Sequence, residues 1–150
     1  MLILLNLCNF SISCISLLEK KINIIMDGYF TKILYSDNCM TMNGIFFKLP
    51  ISISSRTCYQ TKCTAYFDTI LNNDWIYKLS IIEKQIINYY MFFFGIINKS
   101  PNYSLKQQLQ NGYIKYYKDT NSKKSLYYIK LSGIWETENE IGITYKIIEY

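Results

Sequence analysis

The sequence predicts an α+β domain, a partly open antiparallel barrel of about six strands with a long helix between strands three and four and a short second helix. Three observations carry that prediction. Apolar and polar residues alternate with period two at 29–36, 62–69, 112–118, 126–135 and 141–148; one amphipathic helical stretch occupies the middle; and turn residues separate the segments.

YFTKILYS (29–36) sets Phe30, Lys32 and Leu34 against Tyr29, Thr31, Ile33 and Tyr35, and Asp37-Asn38 supplies turn chemistry. MNGIFFKL (42–49) reads as the second strand, with a bulge or tight bend at Asn43-Gly44. Pro50 ends it, and ISISSRT (51–57) reads as a loop or irregular edge. KCTAYFDT (62–69) is the third strand. Asn72, Asn73 and Asp74 offer capping oxygens to the long helix. Its apolar positions are Trp75, Ile76, Leu79, Ile82, Ile86, Tyr90 and Phe93; Lys78, Glu83, Lys84, Gln85 and Asn88 fill the opposite face, and Gly95 ends it. The run YYMFFF (89–94) is apolar on more than one face, so it is expected to meet the sheet and a further element or partner. YSLKQQLQ (103–110) makes the short helix, closed by Asn111-Gly112. The strands GYIKYYK (112–118), LYYIKLSGIW (126–135) and IGITYKII (141–148) follow, joined by the turns DTNSKK and ETENE, with Gly133 marking a bulge. This order matches the OB-fold with one carboxy-terminal strand and a short helix added, although other α+β sheets share it.

Composition sets the class of the protein. A chain of 150 residues, half hydrophobic and 18% charged, is expected to fold as one domain with a real core. Ile 25, Tyr 15, Lys 15 and Asn 13 stand against Gly 6, Pro 2, one alanine, one arginine and no valine, which points to a very A+T-rich gene. Abundant tyrosine and lysine therefore mean little; their placement is what can inform. Lysines 99, 106, 115, 118, 123, 124 and 130 face only Asp119 in one basic stretch, while Glu136, Glu138, Glu140 and Glu149 follow against Lys146. A basic middle beside an acidic end suits a polyanion-binding surface, or simply a solvated charged face.

The chain has no histidine, which removes Ser-His-Asp and Cys-His nucleophiles, His-ligated metals and His general bases. Phosphate-binding glycine motifs are absent too, so no enzyme activity and no cofactor are expected. Cys8, Cys14, Cys39, Cys58 and Cys63 form an odd set without a regular framework, as in a reducing compartment. The Cys58 and Cys63 spacing occurs in zinc sites, but two further ligands are wanting; no metal site is expected, and these two read as core or surface thiols.

Residues 1–18 are apolar but interrupted by Asn6, Asn9 and serines, too short and mixed for a membrane span, so membrane contact through them is not expected. The division is therefore a 1–25 extension and a 26–150 domain. Met26 as the true start is the leading reading of the extension, with a degraded signal or anchor, or an extra packed element, as the others.

The late strands carry the candidate site. Tyr113, Lys115 and Tyr117 share one strand face, Tyr128, Lys130 and Ser132 another, and Lys146 with Thr144 a third. If these strands are neighbours, Tyr113, Lys115, Tyr117, Tyr128, Lys130 and Lys146 form one outer surface that stacks bases and neutralises phosphates. The same residues would equally cover any half-exposed sheet. Trp135 is assigned to the inner set with Tyr127, Ile129 and Leu131, at the barrel core or rim, with an exposed stacking role as the other reading.

MDGYFTKILYSD, MNGIFFKL and KLSGIWETENEIGITYKI resemble a family of small uncharacterised proteins of nucleo-cytoplasmic large DNA viruses, the mimivirus-like giant viruses, over about 26–150. The closing GITYKI strand is also similar to viral OB-type single-stranded DNA-binding proteins, although the acidic tail of those proteins is replaced here by acids in a hairpin. The resemblance implies a virus-infected host cytoplasm or a virion. The expected function is a non-enzymatic module binding single-stranded nucleic acid. The alternative is a viral interaction or assembly protein that meets a protein partner through its Tyr-rich sheet and YYMFFF.

Overall fold

The computed structural model describes residues 3–25, 27–118 and 126–150; Met26 and the turn DTNSKK lie outside them. Eleven strands and two α-helices occur among the described residues. β1 (Ile15–Leu17), β2 (Lys21–Asn23), β3 (Gly28–Ser36), β4 (Thr41–Asn43), β5 (Ile45–Leu49), β6 (Ser55–Tyr59) and β7 (Lys62–Tyr66) precede α1 (Asn73–Phe93). β8 (Ser100–Pro101), α2 (Ser104–Gln110), β9 (Tyr113–Tyr117), β10 (Tyr127–Glu136) and β11 (Glu140–Glu149) follow. They build one mixed sheet in the order β1-β3-β10-β11-β9-β7-β6, with both helices over its inner face.

This sheet replaces the six-stranded OB-like barrel. β10 is the central strand, and one of its edges is shared by two partners in succession. β5 pairs with its first half, Tyr127 to Leu131, and β3 with its second half, Gly133 to Glu136. Two local features allow the division. Gly44 at φ +99° turns the chain so that 41–49 becomes two strands, β4 on β3 and β5 on β10. A bulge between Leu131 and Gly133 shifts the β10–β11 register. Because β10 has β3 and β5 on one side and β11 on the other, β9 cannot pair with it. β9 instead lies parallel to β11, with Ile148 opposite Tyr117, and continues to β7. Among the described residues the path ends at β1 and β6, which do not pair, so these strands form no closed barrel. The long helix follows seven strands, not three, since the second expected strand divides into β4 and β5, the end of ISISSRT with Cys58 and Tyr59 forms the edge strand β6, and the first 25 residues contribute β1 and β2.

Residues of the amino-terminal segment pack on the sheet. β1 and β2 both pair with β3, Leu5 bridges to Phe47, and the Phe10 ring lies 5.9 Å from those of Tyr35 and Phe47. Lys20 reaches Glu136 at 2.8 Å, and Lys99 approaches the same carboxylate at 3.4 Å. Glu136 therefore leaves the expected acidic hairpin tip: it is buried and paired, while Glu138 and Glu140 remain exposed.

α1 buries Trp75, Ile76, Leu79, Ile82, Ile86 and Tyr90 as its periodicity demands, but Phe93 is exposed. The capping expectation is also corrected. The Asn72 side chain does not cap α1; its Oδ1 accepts from the Trp75 indole and from the Ser52 backbone, both at 2.9 Å, tying the segment after β5 to the helix start. Glu83, assigned to the solvent face, is fully buried. Its two oxygens accept the backbone N–H groups of Leu105 and Lys106 at 3.0 Å each, so α1 supplies the cap for α2.

Burial raises the Glu83 carboxyl above its ordinary 4.5, against the two backbone bonds that favour the charged form. The folded chain thus holds this proton at pH values where the unfolded chain has lost it. Its contribution to stability is full below about 4.5 and is lost as pH rises through the folded value. Glu83→Gln is expected to flatten that fall, while losing about 1 kcal/mol at every pH for one backbone donor left without its acceptor. Urea denaturation from pH 4.5 to 7.5 checks it; an unchanged slope assigns the pH dependence to another group.

Candidate nucleic-acid interface

The helices cover one side of the sheet, so the other side meets solvent, and period-two alternation decides which residues stand there. Ile114, Tyr116, Tyr127, Ile129, Leu131, Ile143 and Ile147 are buried beneath the helical layer. The six predicted residues occupy the other side: Lys115, Tyr117 and Lys146 are exposed, and Tyr113, Tyr128 and Lys130 are half-buried. Lys130 and Lys146 are direct register partners across β10 and β11. The Lys146 Nζ sits 4.7 Å from the Tyr117 ring centroid, which joins β11 to β9 on this face.

The predicted residues do not form an isolated cluster. Pairing brings in β5, β7 and β6, and with them Phe46, Lys48, Tyr59, Lys62 and Tyr66. Successive registers give a row across six strands: Lys48, Tyr128, Ile148, Tyr117, Lys62 and Tyr59. Five steps of strand spacing make the row about 24 Å long. The neighbouring row holds Phe46, Lys130 and Lys146, with Lys115 on β9 beside Thr64 on β7. No carboxylate stands among these outward positions.

The rings differ in availability. Tyr128 lies against Tyr150 at 5.1 Å and Phe46 at 6.2 Å, and Tyr113 against Tyr66 at 6.4 Å. Tyr117 is 46% exposed and Tyr59 is 78% exposed, so these two present the most open faces. The Lys130 Nζ lies 5.3 Å from the Phe46 ring centroid. The sequence did contain a signal for the added residues, since Phe46 and Lys48 alternate through FFKL, and Lys62, Thr64 and Tyr66 through KCTAY. What it lacked was the pairing that sets them beside β10 and β9.

Trp135 moves relative to its assigned side. The bulge before Gly133 exchanges the faces of β10, so Ile134 and Glu136 turn inward and Trp135 outward, its ring over Gly142. Beneath the sheet, Arg56 Nη1 meets the buried Glu149 Oε1 at 3.1 Å, and the Tyr127 hydroxyl donates to that of Tyr116 at 3.4 Å. Burial, with the Tyr116 hydroxyl, pushes the Tyr127 phenol well up. Burial, then the nearby Glu83, pushes Tyr145 up to about 12, and its hydroxyl donates to Gln108. These phenols stay neutral at physiological pH and act as hydrogen-bonding core groups.

Cys58 and Cys63 are not free thiols. They are register partners on β6 and β7, with Cα atoms 4.1 Å apart, and their sulfurs are bonded; Cys8, Cys14 and Cys39 are free. Among the described residues no group of three or more His, Cys, Asp or Glu side chains could hold a metal ion, and no helix is long and apolar enough to cross a membrane. No protein-family model, curated protein or solved structure matches this chain.

Proposed function

We propose that the outer sheet face binds single-stranded nucleic acid without sequence readout, through stacking on tyrosine and lysine–phosphate attraction. The observation that carries this reading is the carboxylate-free row of rings and ammonium groups from Lys48 to Tyr59, flanked by Lys130, Lys146 and Lys115. Strands paired side by side hold the backbone positions of these groups at fixed spacing. Each stacked base contributes about 1–3 kcal/mol. Five lysines at or beside the row supply the salt-dependent part, with a slope of log affinity against log salt of about −3.5.

Fluorescence anisotropy of a labelled oligonucleotide over a salt series tests the proposal. Tyr117→Ala is expected to weaken binding about tenfold at every salt concentration, the loss of one stack. Lys130→Glu is expected to weaken it most at low salt and to reduce the slope by about one. Both positions face solvent, so circular dichroism should show an unchanged fold. Absence of binding at low salt, or binding indifferent to both changes, sinks the reading. In that event the protein-partner alternative takes its place. It is favoured by Phe92, 87% exposed, and Phe93, 57% exposed, at the end of α1.

A further inference from the structure

The row of rings and lysines ends on a hairpin tip held unevenly: β9 anchors its β7 side, where Lys62 pairs with Tyr117 and the Thr61 carbonyl accepts from the Lys118 N–H at 2.9 Å, while its β6 side has β7 alone as a strand neighbour. β6 is an edge strand with all five residues exposed, so it buries almost nothing of its own. The connection from Tyr59 to Lys62 passes through Gln60 and Thr61, with Gln60 at φ +56°, where tight hairpins usually place glycine or asparagine. The Cys58–Cys63 bond closes the strands one pair below this turn. Tyr59 stands directly opposite Lys62 at the tip, and with Lys62 fixed by Tyr117 of β9, Tyr59 is the residue the bond positions. Between them and β9 lies an open pocket of about 570 Å³, bordered by Tyr59, Lys62, Lys115, Tyr117 and the two cysteines. That volume is ample for one nucleotide.

Building on the nucleic-acid reading of the outer face, we propose that this pocket is a subsite for one nucleotide of the bound strand, and that the disulfide is a redox latch on it. The base stacks on Tyr59 or Tyr117 while Lys62 and Lys115 meet the flanking phosphates. A dithiol reductant opens the latch. One of its thiolates attacks the sulfur of the exposed Cys58, the bond to Cys63 breaks, and its second thiolate displaces Cys58 from the mixed disulfide. Two electrons and two protons pass to the cysteines, which end as thiols, and the reductant ends as a cyclic disulfide. The tip then loses the covalent tie that offsets its unfavourable turn, and Tyr59 on the edge strand no longer holds one geometry against Lys62, which β9 keeps in place.

The experiment compares oligonucleotide affinity of the oxidised full chain, the same chain in dithiothreitol, and Cys58→Ser/Cys63→Ser. Amide hydrogen exchange is followed over 55–66. The expected result is binding about tenfold weaker on reduction, equal to that of the double variant, with faster exchange at the tip and recovery on reoxidation. The double variant should not respond to dithiothreitol, which separates the latch from Cys8, Cys14 and Cys39. Equal affinity in both redox states overturns the latch and leaves the face intact as a binding surface. Failure to bind oligonucleotide in either state overturns the face, and the subsite with it.

Discussion

A chain beginning at Met26 is expected to lose cooperative folding, or to retain it with a large drop in stability. The first 25 residues supply β1, whose Ile15 is 5% exposed in the core and lies opposite Tyr35, and β2, which covers the opening of β3. Leu5 bonds into β5 on both sides of Phe47, donating to Phe46 at 2.7 Å and accepting from Lys48 at 3.1 Å. Phe10 and Ile12 pack against the same core. Burial of one such side chain is worth about 1.5–3 kcal/mol, so the segment contributes about 5–8 kcal/mol once partial exposure is allowed for. A domain of this size has a net stability of only about 5–15 kcal/mol. Loss of Lys20 would also leave the buried Glu136 with Lys99 alone. Urea denaturation of the 26–150 chain beside the full chain is the measurement. An identical midpoint and slope would show that the segment contributes nothing to folding.

Gly133→Ala is expected to destabilise the protein by about 3 kcal/mol, and more than Gly142→Ala. Both glycines lie under large rings on the outer face, yet the obstacles differ. A Cβ at Gly133 would stand 2.4 Å from the Thr31 carbonyl oxygen, a backbone atom of the paired strand β3, and 2.6 Å from the Phe30 ring. Relief requires β3 and β10 to separate where they are hydrogen-bonded. At Gly142 the nearest atoms all belong to the Trp135 ring, at 2.3 Å, and that ring is half-buried and can tilt outward. Thermal and denaturant unfolding of the two variants rank them. The reverse order would mean that the indole is held more rigidly than the strand pair.

Much of the local structure is legible in the sequence. Tyr113, Lys115 and Tyr117 alternate with Ile114 and Tyr116, and no other backbone state with period two separates them so cleanly. The α1 face from Trp75 to Tyr90 follows for the same reason, with period 3.6. Other features needed a partner far along the chain. Glu83 looked like a solvent residue because the amides it caps belong to α2, 22 and 23 residues later. Glu136 looked like one of three hairpin acids until Lys20, 116 residues away in sequence, was set against it. ISISSRT carried too little apolar content to signal β6, which becomes a strand because β7 offers it an edge and the disulfide holds it there.

The barrel expectation failed at the same kind of point. Strands whose faces are given can be joined in several ways, and alternation does not say which edges meet. Here Gly44 redirects half a strand from β3 to β10, and once both edges of β10 are occupied, β9 has only β11 and β7 to join. The amino-acid order by itself determined the long helix, the longer late strands and, away from the Gly133 bulge, the side chains that share a face on them, because side-chain direction is a property of the local backbone. Only the tertiary structure decided which faces became one surface and which acids were buried. Those outcomes depend on long-range contacts whose energy is gained only when distant segments pair, and no local window of sequence contains both partners.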